Sequence, residues 1–291
     1  MLKDMQRFSR RDWLKFAAAG AAVAALPRTH SWAGPSFASK PGIALQLYSV
    51  RDDCGKDFDR ALDRVAKMGF DAVEFAGYHS YDGKAKELRK KLDDLGLKVA
   101  GTHIGTNSLL PQSLGKSIEF HQELGCKYLI VPGDPRFWNR EKSKELAEIF
   151  NKAAEILKEV DMATGYHNHM HEFEKDGDKT YWELFAERTS PEVVLQQDVG
   201  WTVAAGVDPV AMVRKYPGRS KIIHCKPTVV DGKGKAYIGE DSVPWKAIFE
   251  ACEEVGGTEW YTVEQETYPD NMSPMECTEL SLAGIKKILG R

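Results

Sequence analysis

The histidines of this sequence are unevenly placed. Five of the eight fall at His103, within the run His167-Asn168-His169-Met170-His171, and at His224. They cluster where short apolar stretches end, and acidic residues end others: Glu74, Asp198, and the pair Glu264 and Glu266. Imidazole and carboxylate together suit a divalent Mn, Zn, Co or Fe ion, the histidines leaning away from a pure Mg or Ca site. In an extended chain, residues two apart share a face. His167 and His169 therefore point one way, as do His224 and Lys226, and Glu264 and Glu266. Each stretch can offer one ligand and set a second group beside it. Lys226 in such a place is suited to hold an anionic oxygen or a developing enolate. Histidines scattered over a surface would not concentrate in this way.

Other residues carry plainer readings. His171, next to Glu172, lies past its stretch and reads as a rim or structural residue, while His79 and His121 read as loop or helix-surface residues. Trp201 and Tyr48 are core aromatics by default, with stacking on a ligand as the alternative. Trp138 and Trp182 read as ordinary buried aromatics.

The elements that must position these groups alternate. Short β-type runs at 43–50, 71–76, 98–104, 128–132, 165–169, 193–199, 221–226 and 260–266 are separated by amphipathic runs at 58–68, 84–95, 113–124, 142–163, 209–216 and 245–255, and a last helix at 275–289 closes the chain. Gly69, Gly96 and Gly125 follow three of the helices, where a terminating glycine belongs. Strand-then-helix alternation implies parallel strands with crossover helices. Eight units point to an α/β fold of the closed (β/α)8 kind, although an open doubly wound sheet shares most of the local pattern. Val50-Arg51-Asp52-Asp53 follows the first strand in place of a glycine-rich phosphate loop, which argues against a dinucleotide fold. In such barrels the catalytic residues come from the C-terminal ends of several strands, where the His and carboxylate groups fall.

At 291 residues the chain has room for one large domain, and its composition, 42% hydrophobic and 29% charged, is that of a globular protein. The five cysteines make no CxxC pair and read as buried free thiols. Residues 1–38 stand apart. They carry six Lys/Arg and two Asp, so with a whole-chain net charge of −3 the remainder carries −7. That remainder has no broad electrostatic footprint for nucleic acid.

Ser9-Arg10-Arg11-Asp12-Trp13-Leu14-Lys15 resembles the twin-arginine export consensus, with Trp13 where Phe is usual. An Ala-rich apolar run at 16–26 follows, short of the roughly 20 residues a membrane span needs, and Ser31/Ala33 or Ser36/Ala38 offer cleavage points. The resemblance implies a signal segment over 1–38 and a barrel over 39–291. It also implies passage through the twin-arginine machinery, membrane contact only during export, and a periplasmic enzyme whose metal is loaded before crossing. Few sugar phosphates are met there, which favours an unphosphorylated carbohydrate.

From residue 42 onward the sequence also resembles the sugar isomerase/epimerase group with a xylose-isomerase-like TIM barrel. The resemblance rests on Val73-Glu74-Phe75, Tyr166-His167-Asn168-His169, Asp198-Val199-Gly200-Trp201, His224-Cys225-Lys226 and Val263-Glu264-Gln265, in that order along the chain. In that family a Glu, an Asp, a His and a Glu from the last four strands hold the metal. Asp198, His224 and Glu264 match in type, whereas the fifth-strand Glu falls on His167. The resemblance thus implies His167, Asp198, His224 and Glu264 as metal ligands. It implies Glu264 or Glu266 as the base beside a metal-held carbonyl, with His169 or Glu266 as a candidate second base and Lys226 on a substrate oxygen. By position, Glu74 reads as a residue behind the ligands or a substrate contact, His103 as a satisfied barrel-top histidine or a substrate contact, and Trp201 as the aromatic that could stack on the sugar.

Family epimerases use two carboxylates on opposite faces of the sugar carbon. His167 removes one of them, which makes β-elimination from a 3-keto-glycoside, known among relatives, an alternative to isomerisation or epimerisation. A periplasmic barrel that binds glycans without catalysis is a third reading.

Overall fold

A computed structural model describes residues 40–230 and 232–291; the expected signal segment, 1–38, lies outside the described residues. Eight strands run parallel: β1 (Gly42–Gln46), β2 (Ala72–Phe75), β3 (Lys98–His103), β4 (Tyr128–Val131), β5 (Ala163–His167), β6 (Val194–Asp198), β7 (Ile222–Cys225) and β8 (Trp260–Val263). They close on themselves in the order β1-β8-β7-β6-β5-β4-β3-β2. The first and last strands pair, with Gly42 opposite Trp260 and Leu45 opposite Val263. That pairing decides for the closed barrel over the open sheet.

Helices cover the outside: α1 (Phe58–Met68), α2 (Ala85–Leu95), α3 (Pro111–Leu124), α4 (Lys142–Lys158), α5 (Tyr181–Arg188), α6 (Pro209–Lys215), α7 (Trp245–Ala251) and α8 (Pro274–Leu289). In α1 the buried residues Phe58, Ala61, Leu62 and Val65 fall on one stripe, the helical spacing that lets a helix lie against the barrel. Asp57 starts it by accepting from the Arg60 N–H at 3.0 Å. Gly69, at φ 88°, ends it in a left-handed turn, and Gly96 and Gly125 end α2 and α3 in the same way.

Two differences from expectation have local causes. The helix expected over 142–163 stops at Lys158: Asp161 takes a left-handed φ of 55°, and Ala163 opens β5. Helix α5, which periodicity does not reveal, starts at a capping box between Thr180 and Glu183.

Alternation along the strands decides what fills the barrel. At the N-terminal end Trp260 packs with Ala44, Ala72 and Ala100. A Cβ on Gly42 would stand 2.2 Å from the Trp260 ring, so glycine is required there. Above lie Tyr128, Ile130, Val194 and Ile222. Two residues further along their strands, Gln46, Glu74, Gln196 and His224 replace apolar side chains with polar ones, all fully buried. The site therefore occupies the interior layer next above the apolar plug.

β3 reaches this layer through a register shift. Val73 faces Val99, yet Glu74 faces Gly101. The extra residue carries Gly101 and His103 onto the interior face that Ala100 holds lower down, since a one-residue slip reverses which face a strand residue takes. A Cβ on Gly101 would lie 3.2 Å from Glu74 Oε1. Glycine leaves room for that carboxylate.

The five cysteines are buried and free, as expected. Among the described residues no helix is long and apolar enough to cross a membrane. Helix α8 carries Gly284 against the loop before α7, where an added Cβ would meet the Ile238 carbonyl oxygen at 1.8 Å. Alanine gains roughly 1 kcal/mol of helix propensity over glycine, and overpacking costs about 1–3 kcal/mol. With backbone as the obstacle, the cost exceeds the gain. Gly284→Ala is expected to lower the midpoint of thermal unfolding by several degrees, and an unchanged or raised midpoint would show that the loop gives way freely.

Candidate active site

His167, Asp198, His224 and Glu264 each offer a donor atom, and those four atoms lie within 4.8 Å of one another. All four residues are buried. His167 and Asp198 end β5 and β6, His224 stands one residue before the end of β7, and Glu264 directly follows β8. Asp198 also caps the short helix that leaves β6: its Oδ1 accepts from the Trp201 N–H at 2.8 Å. Its Oδ2 is buried with no hydrogen-bond partner among the described residues, Lys226 and His224 standing 3.8 and 4.0 Å away. Burial pushes this carboxyl up to about 7. A buried carboxylate oxygen without a partner is costly unless a cation meets it. That orphan atom, together with two imidazoles and a second carboxylate around it, fits a divalent cation.

A second layer lies beneath. Glu74 Oε2 stands 2.5 Å from His224 Nε2, and His224 Nδ1 stands 3.0 Å from Glu264 Oε2. Burial disfavours charge on His224, but Glu74 and Glu264 outweigh it and raise its pKa to about 10. Burial likewise opposes ionisation of Glu264, and Lys226 and His224 more than offset it, holding Glu264 well below the usual carboxylate range. Gln196 Nε2 donates to Glu74 Oε1 at 2.7 Å. Its Oε1 lies 3.0 Å from His103 Nε2 and 3.1 Å from His167 Nδ1. Burial keeps both of these imidazoles below their ordinary pKa and hence neutral at pH 7.

The remaining groups form the walls. Lys226 Nζ is 3.3 Å from Glu264 and 3.8 Å from Asp198, it bonds Glu266, and it lies 4.8 Å from the centre of the Trp201 ring. Burial disfavours its charge, but Asp198 and Glu264 prevail and keep it protonated. A Cβ on Gly200 would meet the Lys226 carbonyl at 2.6 Å, so the glycine of Asp198-Val199-Gly200-Trp201 admits the chain that carries Lys226. Gly200→Ala is expected to cost turnover about 10-fold or more by misplacing that ammonium, since small displacements in a site are expensive. Unaltered kinetics would remove this role from Gly200.

His169 lies beside the cluster, its ring 4.9 Å from His167 and 5.9 Å from Trp201. Its backbone N–H is held by Glu172 at 2.8 Å, while no hydrogen bond to its ring appears among the described residues. Burial lowers its pKa and leaves a neutral imidazole.

The expected site residues thus converge in space, with differences in detail. Glu74, expected either behind the ligands or against substrate, takes the first place, fully buried with both oxygens turned to His224 and Gln196. His103 also faces inward, its ring stacked on His224 at 5.4 Å. His121, expected on a helix surface, is buried and bonded to the Tyr78 hydroxyl at 2.8 Å. Tyr48 and Trp138, read as core aromatics, are exposed, whereas Trp182 is buried. Gln196 was not foreseen. Its signal was available, since it stands two before Asp198 and so shares its face.

A family described as the xylose isomerase-like TIM barrel matches this sequence over residues 62–288. The chain belongs to that family. Within this fold, the sugar phosphate isomerase/epimerase of Parabacteroides distasonis shares 31% identity, with a TM-score of 0.69 over 89% of this chain and 97% of its own. The inosose dehydratase of Clostridium tetani is 24% identical over 75% of this chain and 85% of its own length. That of Geobacillus kaustophilus is 29% identical over 58% of this chain, and only 61% of that relative's length is spanned. The IOLI protein, solved with a zinc atom, shares 13% identity at a TM-score of 0.62 over 86% of this chain and 98% of its own, a likeness of fold. The relatives are enzymes, and this xylose isomerase-like barrel is one.

Proposed function

We propose that this enzyme removes the proton next to the carbonyl of an unphosphorylated keto-sugar or keto-glycoside and expels the β-oxygen substituent, a lyase reaction. The observation that carries this reading is the state of the available bases. Glu264 and Glu266 are both engaged by Lys226, whereas His169 is a neutral imidazole with no hydrogen bond to its ring among the described residues. His167, Asp198, His224 and Glu264 would hold a Mn, Zn, Co or Fe ion. Such an ion polarises a carbonyl and a neighbouring hydroxyl, acidifying the adjacent C–H.

His169 takes that hydrogen as a proton. The electron pair of the broken C–H bond forms the carbon–carbon double bond, the β C–O bond breaks, and the imidazolium returns its proton to the departing oxygen. Lys226 stabilises negative charge as it develops on the substrate oxygen. Glu266, bonded to Lys226, keeps the ammonium in place, so the free base is His169 rather than Glu264 or Glu266. The relatives named inosose dehydratase carry the name of an elimination of water, which supports this reading.

Epimerisation is the second reading, favoured by the isomerase/epimerase relative at 31% identity. It shares the first step and requires Glu264 to return a proton from the opposite face. The resemblance of residues 9–15 to a twin-arginine export consensus is what supports an unphosphorylated, periplasmic substrate.

The test is metal-replete protein with a panel of 3-keto-glycosides and keto-sugars in D2O, followed by NMR and mass spectrometry. Release of the β-substituent is expected. Deuterium at the α-carbon with inversion and no release would decide for epimerisation, and neither exchange nor release would sink both.

A further inference from the structure

We propose that Glu74 and Gln196 form a proton-directing pair that fixes opposite tautomers on the two ligand histidines, Nε2–H on His224 and Nδ1–H on His167. The inference rests on the metal-site reading above and concerns the residues beneath the ligands.

Glu74 is fully buried with its Oε2 against the His224 ring and its Oε1 on the Gln196 amide, and a carboxylate so placed only accepts hydrogen bonds. Its Oε2, 2.5 Å from His224 Nε2, therefore requires a proton on that nitrogen. The other ring nitrogen, Nδ1, faces Glu264 at 3.0 Å and Asp198 Oδ2 at 4.0 Å. With Nε2 keeping its proton on the Glu74 side, a cation held among them would displace the second proton from Nδ1 and take up its lone pair.

Glu74 Oε1 acts through the amide. At 2.7 Å it requires the NH2 end of Gln196, which turns the amide oxygen away from it. That oxygen lies 3.1 Å from His167 Nδ1 and 3.0 Å from His103 Nε2, so both rings must donate to it. The lone pair of His167 is left on Nε2. One carboxylate thus sets the proton positions of both ligand rings, one directly and one through an amide that cannot turn round. Partners of this kind orient metal-bound imidazoles and raise their basicity.

An isosteric change separates this role from packing. In Glu74→Gln, one of the two contacts must meet an NH2 group. Either His224 loses the acceptor for its Nε2 proton, or Gln196 turns over and reverses the demand on His167. The double change Glu74→Gln with Gln196→Glu restores the pattern: the new amide oxygen accepts from His224, its NH2 donates to the new carboxylate, and that carboxylate accepts from His103 and His167. Charge and volume are unchanged.

The experiment combines zinc titration with long-range 1H–15N NMR of histidine-labelled, zinc-loaded protein. Wild type is expected to show His224 protonated at Nε2 and His167 at Nδ1. Glu74→Gln is expected to bind zinc about 10- to 100-fold more weakly, and the double variant to recover to within a few-fold of wild type. Zinc bound by wild type with either tautomer reversed, or an unchanged affinity in Glu74→Gln, overturns the proposal while leaving the metal site standing. Wild type that binds no zinc, manganese or cobalt overturns the metal site and this inference with it. If Glu74→Gln fails to fold, the wild-type spectrum still decides.

Discussion

Asp198→Asn is expected to leave the barrel folded and strip it of its metal. The substitution separates the two oxygens of Asp198 by task. Oδ1 caps the helix after β6 by accepting from the Trp201 N–H, and asparagine caps a helix as well as aspartate does. Oδ2 has no hydrogen-bond partner, and in the variant it becomes an amide NH2 aimed at the other ligands. Removing one charge of a buried pair costs about 3–5 kcal/mol, so metal affinity should fall by a factor of 100 or more, and turnover with it. The metal-free variant should be at least as stable as metal-free wild type at and above neutral pH, because burial raises the Asp198 carboxyl to about 7 despite Lys226 at 3.8 Å, so ionising it costs stability that the amide does not. Two measurements check this. Added zinc should raise the unfolding midpoint of wild type, as any ligand of the native state does, and leave that of Asp198→Asn unmoved. If the variant loads metal as tightly as wild type, Asp198 is not a ligand.

Why Asp198 was legible in the sequence and Gln196 was not is a matter of chemistry and of alternation. Charged and imidazole groups at the ends of apolar stretches are conspicuous because their burial is expensive. His167, Asp198, His224 and Glu264 stand out along the chain for that reason alone. Gln196 is uncharged and sits beside Gln197, and only placing it on the face of Asp198 marks it. The inward turn of His103 depends on the extra residue in β3. That shift arises from how two strands meet, and no residue type encodes it. Glu74 was visible as a strand-end acid, but its place one layer below the ligands follows from Gly101 leaving space for its carboxylate. The burial of His121 was hidden because its partner, Tyr78, is 43 residues away. The closed barrel, by contrast, was legible, because eight repeats of one local pattern carry it.

His169→Gln is expected to lower the rate of α-proton removal by about 100- to 10,000-fold, the range a positioned general base contributes, while metal affinity stays at the wild-type level. The two halves of that expectation have separate causes. His169 is absent from the cluster of four donor atoms, so its loss leaves the cation's ligands intact. Its neutral ring has no hydrogen bond among the described residues, whereas the competing carboxylates are occupied, Glu264 by His224 and Lys226 and Glu266 by Lys226. A base already bonded to an ammonium must give up that bond before it can take a proton. Glu266→Gln should therefore cost far less than His169→Gln, acting through the position of Lys226. Rates of solvent exchange at the α-carbon, measured on zinc-loaded wild type and both variants, read this order directly. If Glu266→Gln abolishes exchange and His169→Gln preserves it, the base is Glu266. A carboxylate base would then favour epimerisation over elimination.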